Sequence, residues 1–135
     1  MRDHPVRLLT LLLLLTAADA RGQAEPVRIE LAPEQSLRAG AHAAIEVLVQ
    51  LPPGSDAPLL LTPSVEGDAV EVVRGRLSRP DAKPLPPDRL RFEVPVRARS
   101  EGTAILRIEL MTYVCSRTCQ RVVLQGSQVL RVASN

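Results

Sequence analysis

Aromatic side chains are almost absent from this sequence. It contains one tyrosine, one phenylalanine and no tryptophan among its 135 residues. A hydrophobic core must therefore be built from valine, leucine and isoleucine, the aliphatic residues most often found inside proteins. The length suits one domain that buries a core of useful size, and it is too short for two such domains.

Residue types that carry enzyme chemistry are also scarce. Beyond the first 20 residues the only histidine is His42, and no glycine-rich phosphate-binding loop occurs. The sequence therefore supports neither hydrolase chemistry nor a bound cofactor. The net charge is only +2, with the basic residues scattered singly. We expect no nucleic-acid partner and no binding to an anionic membrane.

The first 20 residues have the three-part layout of a secretory signal peptide. Two arginines precede an apolar run over residues 8–15, and small residues stand at Ala18 and Ala20, the positions that a signal peptidase reads. The run is much shorter than the roughly 20 apolar residues of a membrane span. We expect cleavage after Ala20, no membrane span afterwards, and one monomeric domain over residues 21–135 that is periplasmic or secreted.

Apolar and polar residues alternate with period two through most of the remaining chain. Such alternation is typical of strands that have one buried and one solvated face. No segment has helical spacing over more than two turns. The predicted fold class is all-β, an Ig-like antiparallel β-sandwich of about 7–8 strands. The predicted strands cover residues 27–31, 45–51, 59–61, 69–77, 90–97, 103–115, 120–124 and 128–132.

Prolines and glycines mark the expected boundaries between these strands. Pro63 is expected to end the third segment, and the stretch from Arg79 to Asp88, with its four prolines, is predicted to be a loop. Residues 125–127, with a central glycine, are expected to separate the last two strands. Pro95 lies on the outward phase of its strand, which indicates an edge strand or a bulge.

The two cysteines, Cys115 and Cys119, are separated by three residues. In an exported protein such a pair is expected to form a disulfide, here across a three-residue hairpin loop. Directly opposed Cβ atoms lie about 4.5–5.5 Å apart, so the bond has to draw the strands together. Cys115 falls on the polar phase and is expected to be accessible. Arg117 favours a thiolate by charge proximity, and Tyr113 is positioned to shield one side of the sulfurs.

Three roles for this cysteine pair remain open. A structural clip is the default for an exported domain, although a three-residue loop gains little from being cross-linked. A disulfide that exchanges electrons with a partner is the second role, and in enzymatic terms the protein is then at most a thiol:disulfide interchange component. The third is a Cu(I) site that adds Met111 and His42 to the two thiolates, but only the cysteines have a spacing that brings them together. We predict no metal site.

The segment from Arg91 to Ala98, then Gly102, then Leu106 to Tyr113 and the two cysteines, followed by a short valine-rich strand, resembles a known family. It is similar to the Ig-like sandwich of the amino-terminal periplasmic domain of DsbD-type thiol:disulfide interchange proteins. It also resembles the carboxy-terminal β-domain of thioredoxin-like proteins with NHL repeats. The strand order of most of the mature chain agrees with this resemblance, while the motifs lie in residues 90–132.

This resemblance implies that Cys115 and Cys119 form a redox pair shielded by Tyr113. It implies partners of two kinds, a membrane thiol reductase and a thioredoxin-like protein, between which the pair carries electrons. The sequence departs from the family in two respects. The family's cysteines are usually farther apart, and Gln120 and Arg121 stand where a proline element commonly follows the second cysteine.

Overall fold

A computed structural model describes residues 26–135 of the chain. The predicted signal peptide over residues 1–20 lies outside the described residues. Within those residues the backbone is almost entirely extended, with a single 3-10 turn at Arg79–Asp81. No helix of this described part is long and apolar enough to cross a membrane.

Ten strands form two five-stranded sheets that pack face to face. The first sheet has the order β1-β3-β8-β5, and β7 also pairs with β8. Its strands are β1 (Arg28–Glu30), β3 (His42–Gln50), β5 (Val70–Val72), β7 (Lys83–Leu85) and β8 (Arg89–Ala98). The second sheet has the order β2-β10-β9-β4-β6. Its strands are β2 (Glu34–Arg38), β4 (Leu59–Glu66), β6 (Leu77–Ser78), β9 (Gly102–Cys115) and β10 (Cys119–Ala133).

The topology is that of an immunoglobulin-like domain. In such domains strands A, B, E and D form one sheet, and C, F and G form the other. Here β1, β3, β8 and β5 take the first set of positions, and β4, β9 and β10 take the second. All strand pairs are antiparallel except β2 with β10, which run parallel. The predicted all-β, Ig-like sandwich is therefore confirmed, with two more strands than the sequence indicated.

The core consists of aliphatic side chains from the inward phase of both sheets, with one aromatic residue, Phe92, among them. Phe92 is the largest fully buried side chain. The long strands bury every second residue, as the period-two pattern predicted, although in β10 this holds only from Gln128 to Val132. The hydrophobic residues of the long strands that are at most 1% exposed are Ile45, Val47, Val49, Leu61, Phe92, Val94, Val96, Ala98, Ala104, Leu106, Ile108, Leu110 and Leu130.

Two of the predicted breaks lie inside strands. Residues 125–127 belong to β10, which runs without interruption from Cys119 to Ala133. Gly126 is not a turn residue: a Cβ there would lie 2.8 Å from Cδ1 of Leu31, so the glycine makes room for that side chain. Pro63 likewise lies within β4, which continues to Glu66.

The prediction of a plain loop from Arg79 to Asp88 was also wrong. The stretch contains the 3-10 turn and then β7, whose Pro84 is tolerated because β7 is an edge strand. Pro95 is not on an edge strand, since β8 pairs with β3 on one side and with β5 and β7 on the other. Its carbonyl accepts from the Val73 N–H, so its ring nitrogen faces the gap between β5 and β7.

The remaining differences concern short strands. The single strand predicted over residues 69–77 is two strands, β5 and β6, which belong to different sheets. β2 was not predicted, because its only buried side chain is Leu37 and the segment therefore has no apolar alternation.

Truncation of the one core aromatic tests the packing. We expect Phe92→Ala to lower the free energy of unfolding by about 3–5 kcal/mol, because it leaves a cavity among side chains that cannot close around it. Val73→Ala is the matched control, since Val73 is 56% exposed, and we expect a change within about 0.5 kcal/mol. Urea denaturation measures the free energy of unfolding of both variants. If both variants lost the same free energy, the position of Phe92 in the core would be contradicted.

Candidate functional site

The cysteines close the longest hairpin of the domain. β9 and β10 are in unbroken antiparallel register from Gly102 opposite Val132 to Cys115 opposite Cys119. The loop between them has three residues, and the Ser116 N–H donates to the Thr118 carbonyl at 3.0 Å. The hairpin predicted from the sequence is therefore present, with the two cysteines at its last paired position.

Cys115 and Cys119 form a disulfide, and their Cα atoms are 4.0 Å apart. Hydrogen-bonded and non-hydrogen-bonded pairs alternate along an antiparallel ladder. Because residues 116 and 118 are hydrogen-bonded, the cysteines occupy a non-hydrogen-bonded pair, the closer of the two arrangements, with Cα atoms usually about 4.5 Å apart. The predicted cross-strand disulfide is confirmed, and the strands are drawn together at this point.

The disulfide lies on the solvent side of the second sheet. The even-numbered residues of β9 from Ala104 to Thr112 are buried, whereas the odd-numbered residues from Thr103 to Cys115 are exposed or half-buried. Cys119 belongs to the corresponding outward set of β10, and both cysteines are exposed. The predicted accessibility of the pair therefore agrees with the structure. We call this solvent side the outer face.

The two residues expected to support the cysteines occupy different positions. Tyr113 is half-buried on the outer face, one cross-strand row from the disulfide, and it borders the same cleft as both cysteines. Arg117 is exposed in the loop between them. Arg121, for which no supporting role was predicted, lies directly opposite Tyr113. A three-residue loop between Cys115 and Cys119 sets the register of the hairpin, and this register places Arg121 opposite Tyr113.

A cleft of about 510 Å³ adjoins the disulfide. Its other wall is the loop over residues 52–58, which joins β3 to β4. Three residues outside the loop hold it by hydrogen bonds. The Thr112 hydroxyl donates to the Pro58 carbonyl at 2.9 Å, and the Gly54 N–H donates to Oδ1 of Asp88 at 3.2 Å. The Arg79 guanidinium donates to the Ala57 carbonyl through Nε at 3.2 Å and Nη2 at 2.9 Å. In Ig-like variable domains the corresponding B–C and F–G loops form the binding end.

Apolar side chains continue across the outer face from this end. Leu60 pairs with Met111, and Met111 pairs with Val123, so the three side chains form one row across β4, β9 and β10. Leu60 and Met111 are half-buried, and Val123 is 44% exposed. We call this set the apolar row. It lies two cross-strand rows from the disulfide.

A polar groove of about 340 Å³ lies farther along the same face. It includes Arg107, whose Nη2 is 3.0 Å from Oε1 of Glu66. The hydrogen bond and the negative charge of Glu66 raise the pKa of Arg107 above its usual value. The groove contains neither cysteine.

The residues considered for a Cu(I) site are not brought together. His42 begins β3 in the first sheet, where it pairs with Arg97, while the cysteines are in the second sheet. Both sulfurs are also bonded to each other. Within residues 26–135, no group of three or more histidine, cysteine and acidic side chains has the arrangement of a metal site.

Comparison with solved structures supports the fold. Trypsin-activated alpha-2-macroglobulin from Escherichia coli contains a similar domain, with a TM-score of 0.53 and 20% sequence identity over 82% of this chain and 8% of that one. The native conformation of the same protein gives a TM-score of 0.49 at 20% identity, covering 82% of this chain and 7% of that one. No protein-family model and no curated protein matches the chain.

This similarity is to an Ig-like macroglobulin domain, and it concerns the fold alone. The chain spans 8% of the length of the macroglobulin that it matches. The Ig-like part of the expected resemblance is thereby supported. The DsbD-type identity stays a prediction.

Removal of the disulfide tests whether the fold depends on it. We expect the Cys115→Ala/Cys119→Ala double variant to lose at most about 2 kcal/mol of unfolding free energy, because the closed loop is very short. No residue from Tyr113 to Ser127 is buried, so the core is unaffected. Urea denaturation of the oxidised protein and the variant measures the difference. A variant that does not fold would contradict this expectation.

Proposed function

We propose that this chain is an exported Ig-like domain whose Cys115–Cys119 disulfide exchanges with the dithiol of a thioredoxin-like protein or of a membrane thiol reductase. The observation that carries the proposal is the position of the disulfide. Both cysteines are exposed at a hairpin tip and line a cleft with the loop over residues 52–58. A buried structural bridge is sheltered from attacking thiolates, whereas this one is open to them.

The exchange proceeds in two balanced steps. A thiolate of the partner attacks one sulfur of the disulfide, so the Cys115–Cys119 bond breaks, a mixed disulfide forms, and the other cysteine leaves as a thiolate. The second thiol of the partner, as a thiolate, then attacks the partner sulfur of the mixed disulfide and releases the remaining cysteine. The partner ends as a disulfide, and this domain gains two electrons as a dithiol. Reoxidation reverses the steps.

Two neighbouring side chains support this chemistry. Arg117 lies in the loop between the cysteines, where its positive charge stabilises the thiolate that leaves. Tyr113 borders the cleft beside both sulfurs and limits the directions from which a partner approaches. We assign both residues supporting roles, since neither is a nucleophile in the exchange.

A structural clip at a binding surface is the second candidate function. One observation favours it: the distal half of the hairpin, from Tyr113 to Ser127, contains no buried residue. Packing therefore contributes little to holding the tip, and a covalent link restrains it instead. In this case the domain is a non-enzymatic structural or binding module, and the loop over residues 52–58 and the hairpin tip form its binding end.

The reduction potential distinguishes the two functions. We expect equilibration with dithiothreitol or glutathione mixtures to give a potential of about −120 to −270 mV, the range of thiol:disulfide exchange proteins. Counting free thiols by mass after alkylation measures it. A potential below about −300 mV would identify a structural bridge and refute the exchange proposal.

Trapping experiments test the partner class directly. The oxidised domain carries the intact Cys115–Cys119 disulfide. We expect the single thiolate of a bacterial thioredoxin that lacks its resolving cysteine to attack this disulfide and to stay linked as a mixed disulfide, while the other cysteine of the domain leaves as a thiolate. The Cys115→Ser/Cys119→Ser double variant is the control and forms none. If the oxidised domain forms no mixed disulfide under conditions where the same thioredoxin traps a known substrate, the proposal is contradicted.

A further inference from the structure

The outer edge of β10 has no paired strand along most of its length. The chain before β2 comes close to one part of it, where Leu31 lies against Gly126 and the Gln128 side chain donates to the Ala32 carbonyl. On that side β2 pairs only with residues 129–133, and no other strand of residues 26–135 pairs with 119–128. The reason is Pro33, the residue before β2. Its carbonyl accepts from the Val129 N–H, but a proline has no N–H with which to continue the ladder toward Ser127.

The backbone groups on this edge are those of the odd-numbered residues. Val129 directs its N–H away from β9 and toward β2, and alternate residues of a strand direct their hydrogen-bonding groups to the same side. Arg121, Val123 and Gln125 therefore present N–H and C=O groups to the open edge. Their side chains also lie on the outer face.

This edge has few of the features that prevent edge-to-edge association. Natural edge strands are commonly protected by lysine, proline, bulges or a covering element. The open segment from Cys119 to Ser127 contains no lysine and no proline, pairs with β9 without a bulge, and carries a single charge, at Arg121. A large apolar side chain, Val123, is exposed at its centre.

We infer that this edge binds the same edge of a second copy of the chain, in antiparallel pairing around a two-fold axis at Val123. This inference is independent of thiol exchange. The pairing joins two five-stranded sheets into one continuous sheet. The resulting dimer differs from the monomer that we expected from the sequence.

The residues on the outer face are complementary in this arrangement. The apolar row of one copy, which ends at Val123, continues directly into the apolar row of the other. In the adjacent row Arg121 lies opposite Gln125 of the second copy. Within each hairpin Gln125 pairs with Glu109. Arg121 of one copy therefore lies in the same cross-strand row as Glu109 of the other copy. Like charges are not opposed, and opposite charges share a row.

Cysteine cross-linking tests both the association and its register. In the Cys115→Ser/Cys119→Ser background, Val123→Cys places two thiols in a hydrogen-bonded pair, where Cα atoms lie about 5.5 Å apart and a disulfide can form. Gln125→Cys is the matched control, because Gln125 lies opposite Arg121 of the second copy and not opposite itself. We expect mild oxidation to give a 123–123 linked dimer and at least tenfold less 125–125 product, measured by mass spectrometry.

Sedimentation of the unmodified protein provides the second measurement. We expect a dimer whose fraction rises with concentration and is lost in Val123→Pro, which removes an N–H from the open edge and no hydrogen bond to β9. Val123→Thr keeps that N–H and is expected to retain a dimer. The inference is overturned by a monomer at every concentration, by a dimer that persists in a folded Val123→Pro variant, or by 125–125 linkage equal to 123–123 linkage.

Discussion

The unbroken ladder between β9 and β10 is the constraint on which the rest of the molecule depends. Because opposed residues of an antiparallel pair share a face, one register assigns every side chain of two long strands at once. Leu106, Ile108 and Leu110 are directed into the core. The same register directs both cysteines to solvent. The aliphatic packing that stabilises the sandwich therefore also keeps the disulfide exposed.

The end of the sandwich that carries the disulfide is built differently from its middle. There the inward side chains of the hairpin, Val114 and Val122, are only half-buried, and they pack at the margin of the core. The loop over residues 52–58 approaches from the other side, held through Thr112 and Asp88. Hydrogen bonds between side chains and distant backbone groups, together with the covalent link, give this end its shape, whereas hydrophobic burial gives the middle its stability.

The sequence was sufficient to predict the class of the fold and the hairpin disulfide of the candidate site. Each long strand has an aliphatic inward phase that period-two analysis detects, and the three-residue spacing of the cysteines is enough to predict a cross-strand disulfide on the polar phase. The prediction of a turn at Gly126 was wrong because a glycine between two apolar runs can mark either a turn or a close contact within one strand. Here it makes room for the Leu31 side chain.

Features that depend on distant parts of the chain were not predictable in this way. The cleft beside the disulfide depends on a loop more than fifty residues earlier, which is held by a bond from Thr112 to the Pro58 carbonyl. The pairing of β2 with the far end of β10 leaves no trace in local periodicity, because only Leu37 is buried. These are tertiary contacts between segments whose own composition does not identify their partners.

The parallel pairing of β2 with β10 also has a mechanical consequence. The two strands run in the same direction, so the chain enters this part of the domain at the disulfide end and leaves it at the opposite end. A force that pulls the two chain ends apart acts along the strands, and it loads all the hydrogen bonds of that ladder together instead of opening them one after another. Tension applied along the strands therefore loads the five residue pairs of this ladder in shear.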